Sequence, residues 1–280
     1  DSLDVVGFEA LLRLEDRQGK VSSPTFLPLL YQQGLSQKID SKVVALIFSH
    51  VLHWQALGLA IPTIAINFDK HFLLDPQAVR AFINQADRYQ IKFDIEITEH
   101  TCSEEITKLA TVVNKLRSAG HRVAIDDFGT GYSALTTLLE LNIDEVKLDS
   151  QFVQLALQQT HSGPAHPRQP RVQQSRHKPS HLEPSHLEPS HLEPSHLEPS
   201  HPQHSQSGPK LLQSVVQLCH SLGFVVVAEC IETRKQLSQA QHCGVDVLQG
   251  YYLGKPMSHH QMADFLADSW YSTARSCIRR

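Results

Sequence analysis

Five carboxylates stand at or beside the ends of short β-branched runs: Glu9, Glu96, Asp126, Asp127 and Glu229. Asn67, Lys147 and Gln249 occupy equivalent places on other runs. Any one of these acids, read alone, is a strand end meeting water or capping the next helix. As a set they would converge on one mouth, where each close carboxylate pair costs ~1 kcal/mol at 4 Å in water and ~4 kcal/mol at an effective dielectric of 20. Such a crowd calls for cations. Oxygen ligands with no His or Cys among them point to Mg²⁺ or Mn²⁺. Five acids and an amide exceed what one ion commonly takes from protein, so two ions are expected. A pair of ions ~3.5–4 Å apart is the usual device for in-line displacement at phosphorus. Lys147 would then neutralise charge on the attacking water or on phosphoryl oxygens.

The elements that must position these residues alternate. Runs at 4–12, 63–67, 92–98, 122–126, 145–149, 224–229 and 245–249 read as strands. Helical patterns lie at about 40–57, 76–88, 101–120, 133–141, 210–222, 233–243 and 258–268. The helix at 101–120 opens on a capping-box spacing, Thr101 to Glu104, and stops at Gly120. Strand–helix alternation of this kind makes a mostly parallel sheet, closed as a barrel or open. No Gly-rich turn follows the first strand, which weakens a dinucleotide-binding version. Period-two alternation would put Glu9, Leu11 and Arg13 on one face, and Glu96 on the face opposite Glu99. The segment Asp127-Phe-Gly-Thr-Gly-Tyr-Ser133 lacks the P-loop spacing and reads as a mobile gating loop or an ordinary strand-to-helix turn.

Composition narrows the classes. The 280 residues carry 25 Lys+Arg against 29 Asp+Glu, a net charge of −4, which argues against a nucleic acid polymer as partner. No apolar run approaches the ~18 residues of a membrane span, so no membrane contact is expected from this chain. Five cysteines without metal-ligand spacing argue against a secreted disulfide framework. A cytoplasmic domain is expected, and the chain opens at Asp1 without Met, as a piece of a longer and even membrane-anchored protein would. Residues 161–209 stand apart. Ser-His-Leu-Glu-Pro repeats begin at Ser180, Ser185, Ser190 and Ser195, and half of the 18 histidines fall in this stretch. Recurrent Pro blocks helix and one Leu per unit cannot offset ordering entropy, so a disordered, low-complexity insertion in a single domain is expected, its histidines merely polar.

In order along the chain, Glu9-Ala-Leu11 within Gly7–Arg13, Asn67, Glu96-Ile-Thr-Glu99, Asp126-Asp-Phe-Gly-Thr-Gly-Tyr-Ser133, Val146-Lys-Leu-Asp149, Ala228-Glu-Cys-Ile-Glu232 and Gln249-Gly-Tyr251 resemble the motifs of the EAL domain, the bacterial cyclic-di-GMP phosphodiesterase. The resemblance covers nearly all of the chain outside the insertion. It implies an α/β fold, a modified TIM (β/α)8 barrel with one antiparallel strand, and hydrolysis of cyclic-di-GMP to linear pGpG. By position, Glu9, Asn67, Glu96 and Asp126 would hold one metal, and Asp126, Asp127 and Glu229 a second. Lys147 and Gln249 would act on the water, with Glu229 assisting as base. Leu11, Arg13, Glu232 and Tyr251 would bind substrate, and Glu99 would anchor the 127–133 loop, which in this family couples metal binding to homodimer formation.

The sequence also departs from the family pattern. The usual opening strand with Tyr-Gln-Pro-Ile has no counterpart, so the first strand is expected to be missing. Leu14-Glu-Asp-Arg17 replaces Trp-x-His-Pro, Asn67-Phe-Asp69 replaces Asn-Leu-Ser, and Cys230 stands where Gly is usual. None of these removes an expected metal ligand. The insertion is expected on the loop after the strand bearing Lys147, and so on the catalytic side. Two rival readings remain open. A catalytically inactive cyclic-di-GMP receptor or interaction scaffold would share the barrel, but such members typically lose the first Glu, the double Asp or the Lys, all present here. An enolase-like or aldolase-like metal enzyme would explain the acids but not the ordered motifs.

Overall fold

The computed structural model describes residues 4–17, 19–21, 23–99, 106–129, 138–157 and 207–278. The capping box at 101–104, residues 130–133 of the Gly-containing loop and the repeats lie outside these residues. Seven parallel strands form one curled sheet: β1 (Gly7–Ala10), β4 (Thr63–Asn67), β5 (Phe93–Thr98), β6 (Arg122–Phe128), β7 (Glu145–Leu148), β8 (Val225–Ala228) and β9 (Val247–Leu248), adjacent in that order. This is a half-barrel, consistent with a modified TIM barrel. The antiparallel strand that the resemblance implies is not among the described strands of this sheet. A separate two-stranded hairpin, β2 (Leu14–Asp16) with β3 (Gly19–Val21), follows β1.

Helices cover the outer face: α1 (Ser23–Gln32), α2 (Ser36–Ala56), α3 (Lys70–Leu73), α4 (Pro76–Arg88), α5 (Ile106–Ser118), α6 (Ser150–Leu157), α7 (Ser207–Ser221), α8 (Arg234–His242) and α9 (His259–Ile278). Their starts are chemically marked. Asp75 accepts from the amides of Gln77 and Ala78 ahead of Pro76, which fits the first helical turn because it needs no N–H there. Thr233 and Gln236 close a capping box on α8. The strands show why one sheet can serve two purposes. In β5, Ile95 and Ile97 are fully buried in the apolar core, while Asp94 and Glu96 alternate onto the other face. Parity therefore splits each strand between holding the fold together and aiming acids.

The structure corrects several expectations. The first strand ends at Ala10, so Leu11 and Arg13 do not share a strand face with Glu9. Residues 207–209 are the first turn of α7 and not part of the insertion. An eight-residue helix, α6, also separates β7 from the insertion, which is therefore flanked by two helices instead of lying directly on the strand's loop. Gly208 comes back against α6 so closely that a Cβ there would stand 2.4 Å from Ala156 O. The described residues on either side of the insertion, Ala156 and Gly208, thus lie side by side.

Candidate functional site

Each site residue sits where a strand gives way to the following loop. Backbone register makes neighbours of Asn67 and Glu96, and of Thr98 and Asp126. The adjacent acids Asp126 and Asp127 would point to opposite faces of a regular strand. The register shifts between Ile125 and Phe128, and Asp127 takes the left-handed conformation (φ 57°), so the ladder bulges where the double Asp falls. A bulge re-aims side chains, and here it frees both acids from strict alternation.

Lys147 is the centre. Its side chain is 2% exposed, and Nζ lies 2.7 Å from Glu96 Oε1, 2.8 Å from Glu229 Oε1, 3.2 Å from Asp126 Oδ1 and 3.7 Å from Glu9 Oε2. Asn67 Nδ2 donates to Glu9 Oε1 and to Glu96 Oε2, both at 2.8 Å, and so spaces two carboxylates that would otherwise repel. Gln249 Nε2 donates to Glu9 Oε2 at 2.6 Å. This last bond ties the end of β9 to β1 across the open edge of the sheet. Gly250 is needed for it, since a Cβ there would lie 2.3 Å from the Ile231 backbone. The amide of Gly129 donates to Glu99 Oε2 at 3.2 Å, so the buried Glu99 reaches the start of the 127–133 loop from the next strand.

The charges follow from this packing. Burial pushes the Glu96 carboxyl well above its ordinary range, and Lys147 only partly opposes it. Burial also raises Glu229, and it raises Asp127, with the Asp126 carboxylate adding to the effect. In Glu9 burial is outweighed by Lys147 and by the hydrogen bonds from Gln249 and Asn67, so its carboxyl sits below the usual value. The Lys147 ammonium is desolvated, yet Glu96, Asp126, Glu9 and Glu229 together hold its proton far more tightly than water would.

Among the described residues, no group of three or more His, Cys, Asp or Glu side chains is arranged to hold an ion as it stands; the carboxylates are drawn onto Lys147. The donor chemistry nonetheless fits hard dications. The set is all oxygen, and Asp126 Oδ1 is buried without a well-directed hydrogen bond. The expected substrate residues Leu11, Arg13, Glu232 and Tyr251 follow the C-terminal ends of β1, β8 and β9 and are exposed. Arg13 donates to the neighbouring carbonyl of Leu12 at 2.9 Å. Asp149, one residue past the end of β7, is a cap that accepts from the amides of Gln151 and Phe152 at the start of α6.

Sequence reading missed a second ionic layer. Asp94, Arg122 and Glu145 stand two to four residues before Glu96, Asp126 and Lys147 on the same strands, and period-two parity would have found them. Arg122 Nε donates to Asp94 Oδ1 at 2.7 Å, and Nη1 lies 4.0 Å from Glu145 Oε2. Burial carries the Glu145 carboxyl up to about 7. Asp40 of α2 was missed as well. It accepts from the amide of Asp69 at 3.1 Å, behind the turn that follows Asn67, and burial puts its carboxyl at about 7.

A curled parallel α/β sheet with an acidic cluster at its carboxyl ends defines a barrel-type site in which strand ends supply the polar groups. More particularly, the chain belongs to the EAL domain family, whose sequence profile matches residues 1–165 and 187–256. It is 34% identical over 153 residues to the probable cyclic di-GMP phosphodiesterase PdeB of Escherichia coli, covering 53% of this chain and 29% of that protein. It is 27% identical over 265 residues to the cyclic di-GMP phosphodiesterase PA2567 of Pseudomonas aeruginosa, covering 93% and 37%. Among solved structures, the c-di-GMP complex of PaMucR phosphodiesterase matches with a TM-score of 0.69 at 26% identity, over 92% of this chain and 88% of that one. The EAL domain of Pseudomonas aeruginosa FimX bound to c-di-GMP shares the fold, with a TM-score of 0.64 at 19% identity over 89% and 82%. The chain spans 27% to 37% of the length of the first curated relatives it matches. Among the described residues no helix is long and apolar enough to cross a membrane.

Proposed function

We propose that this chain hydrolyses one phosphodiester of cyclic-di-GMP, giving pGpG, with two Mg²⁺ or Mn²⁺ ions. The observation that carries the reading is the convergence of Glu9, Glu96, Asp126 and Glu229 on Lys147, with Asn67 and Gln249 bonded into the same cluster. Glu9, Asn67, Glu96 and Asp126 would hold one ion, and Asp126, Asp127 and Glu229 the other. When bound, such a pair makes water a better nucleophile at neutral pH and stabilises both the attacking and the leaving oxygens.

The chain's own residues supply the rest. The surrounding carboxylates favour the charged form of Lys147, so it would serve as a positive donor to the attacking water or a phosphoryl oxygen and not as a base. Burial raises the Glu229 carboxyl above its ordinary value, the direction that suits it to take a proton from that water. Gln249 orients groups beside Glu9, while Asn67 keeps Glu9 and Glu96 apart at fixed spacing. Leu11, Arg13, Glu232 and Tyr251 would bind the nucleotide, with Arg13 on a phosphate. Glu99 would steady the 127–133 loop through Gly129.

The reading includes a second copy of the chain as partner. Support comes from the exposed leucines of α6 and α7, Leu155, Leu211 and Leu218, with Leu222 just past the end of α7. Light scattering during gel filtration reads the oligomeric state directly.

The test is incubation with cyclic-di-GMP and Mg²⁺, with and without chelator, with the products separated by chromatography. Linear pGpG formed only with the metal supports the proposal. Tight binding of cyclic-di-GMP without turnover in either Mg²⁺ or Mn²⁺ would replace it with the receptor reading.

A further inference from the structure

We propose that His50, His53, His259 and His260 form a proton-sensitive latch that releases the start of α9 from α2 in mild acid. The latch uses none of the residues of the carboxylate cluster and does not depend on the phosphodiesterase reading.

The geometry is specific. The rings of His50 on α2 and His259 on α9 stack with centroids 4.1 Å apart and planes 2° apart, and His260 lies 3.8 Å from His259. Trp54, one turn beyond His50, donates its indole N–H to the carbonyl of His259 at 3.1 Å. Farther along α9, Phe265 meets Phe8 of β1 edge to face at 5.9 Å. Phe8 adjoins Glu9, so α9 braces the strand that carries Glu9. The contact holds the seam where β1 and β9 face one another without a shared backbone ladder.

Neutral imidazoles stack well, whereas two imidazolium rings at this separation repel. The surroundings add to the repulsion. His259 and His260 fall in the first turn of α9, where the helix dipole disfavours a cation. His53 is the nearest titratable neighbour of His50 on α2, and no Asp, Glu, Lys or Arg lies between Lys42 and Leu57. On α9 the nearest carboxylate is the exposed Asp264, one turn after His260, and Lys255 precedes the helix with a further positive charge. Burial, then His259, His260 and His53, lower the pKa of His50. Slight desolvation, His260 and His53 do the same to His259. A lowered folded-state pKa means the opened form takes protons first. The closed contact is therefore fully favoured above the ordinary histidine value of about 6.5 and weakens as pH falls below it.

A shared metal ion does not fit this arrangement. Parallel stacked rings hold their in-plane lone pairs in separate planes, and these histidines do not form a group able to hold an ion.

The test is amide hydrogen exchange of the intact chain at pH 7.5 and 5.5, corrected for intrinsic rates and read in peptides spanning 259–266. Each full unit of pKa depression lets acid favour opening by up to about tenfold. Exchange should therefore rise several-fold at pH 5.5 in the natural sequence. His50→Phe keeps a flat ring that cannot take a proton and should abolish most of that rise. His260→Gln, at an exposed position, should reduce it and provides a second reading should His50→Phe fold poorly. An acid response of equal size in the natural chain and both variants would overturn the latch. So would unchanged protection at pH 5.5, or stoichiometric Zn²⁺ binding that His50→Phe removes.

Discussion

Replacing Lys147 with Met keeps most of the side chain's length and removes the ammonium that four carboxylates share. In the natural chain that ammonium stands within 2.7–3.7 Å of Glu96, Glu229, Asp126 and Glu9, all of them mostly buried. At 4 Å each such contact is worth ~4 kcal/mol at an effective dielectric of 20, partly offset by desolvation and by the acids' own repulsion. Removing one partner from a buried ion cluster usually costs about 3–5 kcal/mol, because the remaining charges are left unpaired. For a domain of this size that is a fall in Tm of roughly 6–20 °C.

The pH dependence has a definite sign. Glu96 and Glu229 have raised folded-state pKa values, so each weakens the fold as pH climbs from the ordinary carboxylate range through its own raised value. Without Lys147 those values rise further, and the penalty extends to higher pH. Thermal unfolding in EDTA should show Lys147→Met far below the natural chain at pH 8, with the gap narrowing at pH 6. Mg²⁺ should recover more stability in the variant than in the natural chain. Equal melting curves at pH 8 in EDTA would refute the idea that Lys147 neutralises this cluster.

Three further outcomes are expected. Gly250→Ala should lose about 2 kcal/mol or more, because its Cβ meets backbone that cannot yield, and chemical denaturation would measure the loss. Asp40→Asn should stabilise the chain by about 1–2 kcal/mol at pH 8 and by little at pH 4, since the carboxyl at about 7 ionises at a cost that unfolding relieves; denaturation at the two pH values reads the difference. Deleting 161–205 and joining the ends by a short linker should leave melting cooperative and add up to about 2 kcal/mol from loop closure, because Gly208 already meets Ala156. A cooperative loss of structure on that deletion would show that the repeats support the domain.

Much of the site was legible because it obeys period-two parity and chemical type. Glu96, Lys147 and Glu229 stood on recognisable β-branched runs, and their convergence needed only parallel strands. What escaped was local geometry. The hairpin at 14–21 has three-residue strands, too short to alternate visibly. Helix α1 was not foreseen, and it contains Pro24 in its first turn and Pro28 in its interior, where proline removes a helical hydrogen bond. Asp149 read as the end of a strand, although its carboxylate starts α6. The bulge that frees Asp126 and Asp127 from strict alternation leaves no pattern in the residues before Gly129, because Asp adopts left-handed backbone more readily than most residues do.

The hydrogen bond between Gln249 and Glu9 joins two residues 240 positions apart in the sequence. During synthesis, Glu9 leaves the ribosome long before its last partner exists, and Asn67, Glu96 and Lys147 follow in turn. The centre is completed only when Gln249 has emerged. Prematurely terminated products that stop short of it would carry nearly every acid and still lack the finished hydrogen-bonded cluster.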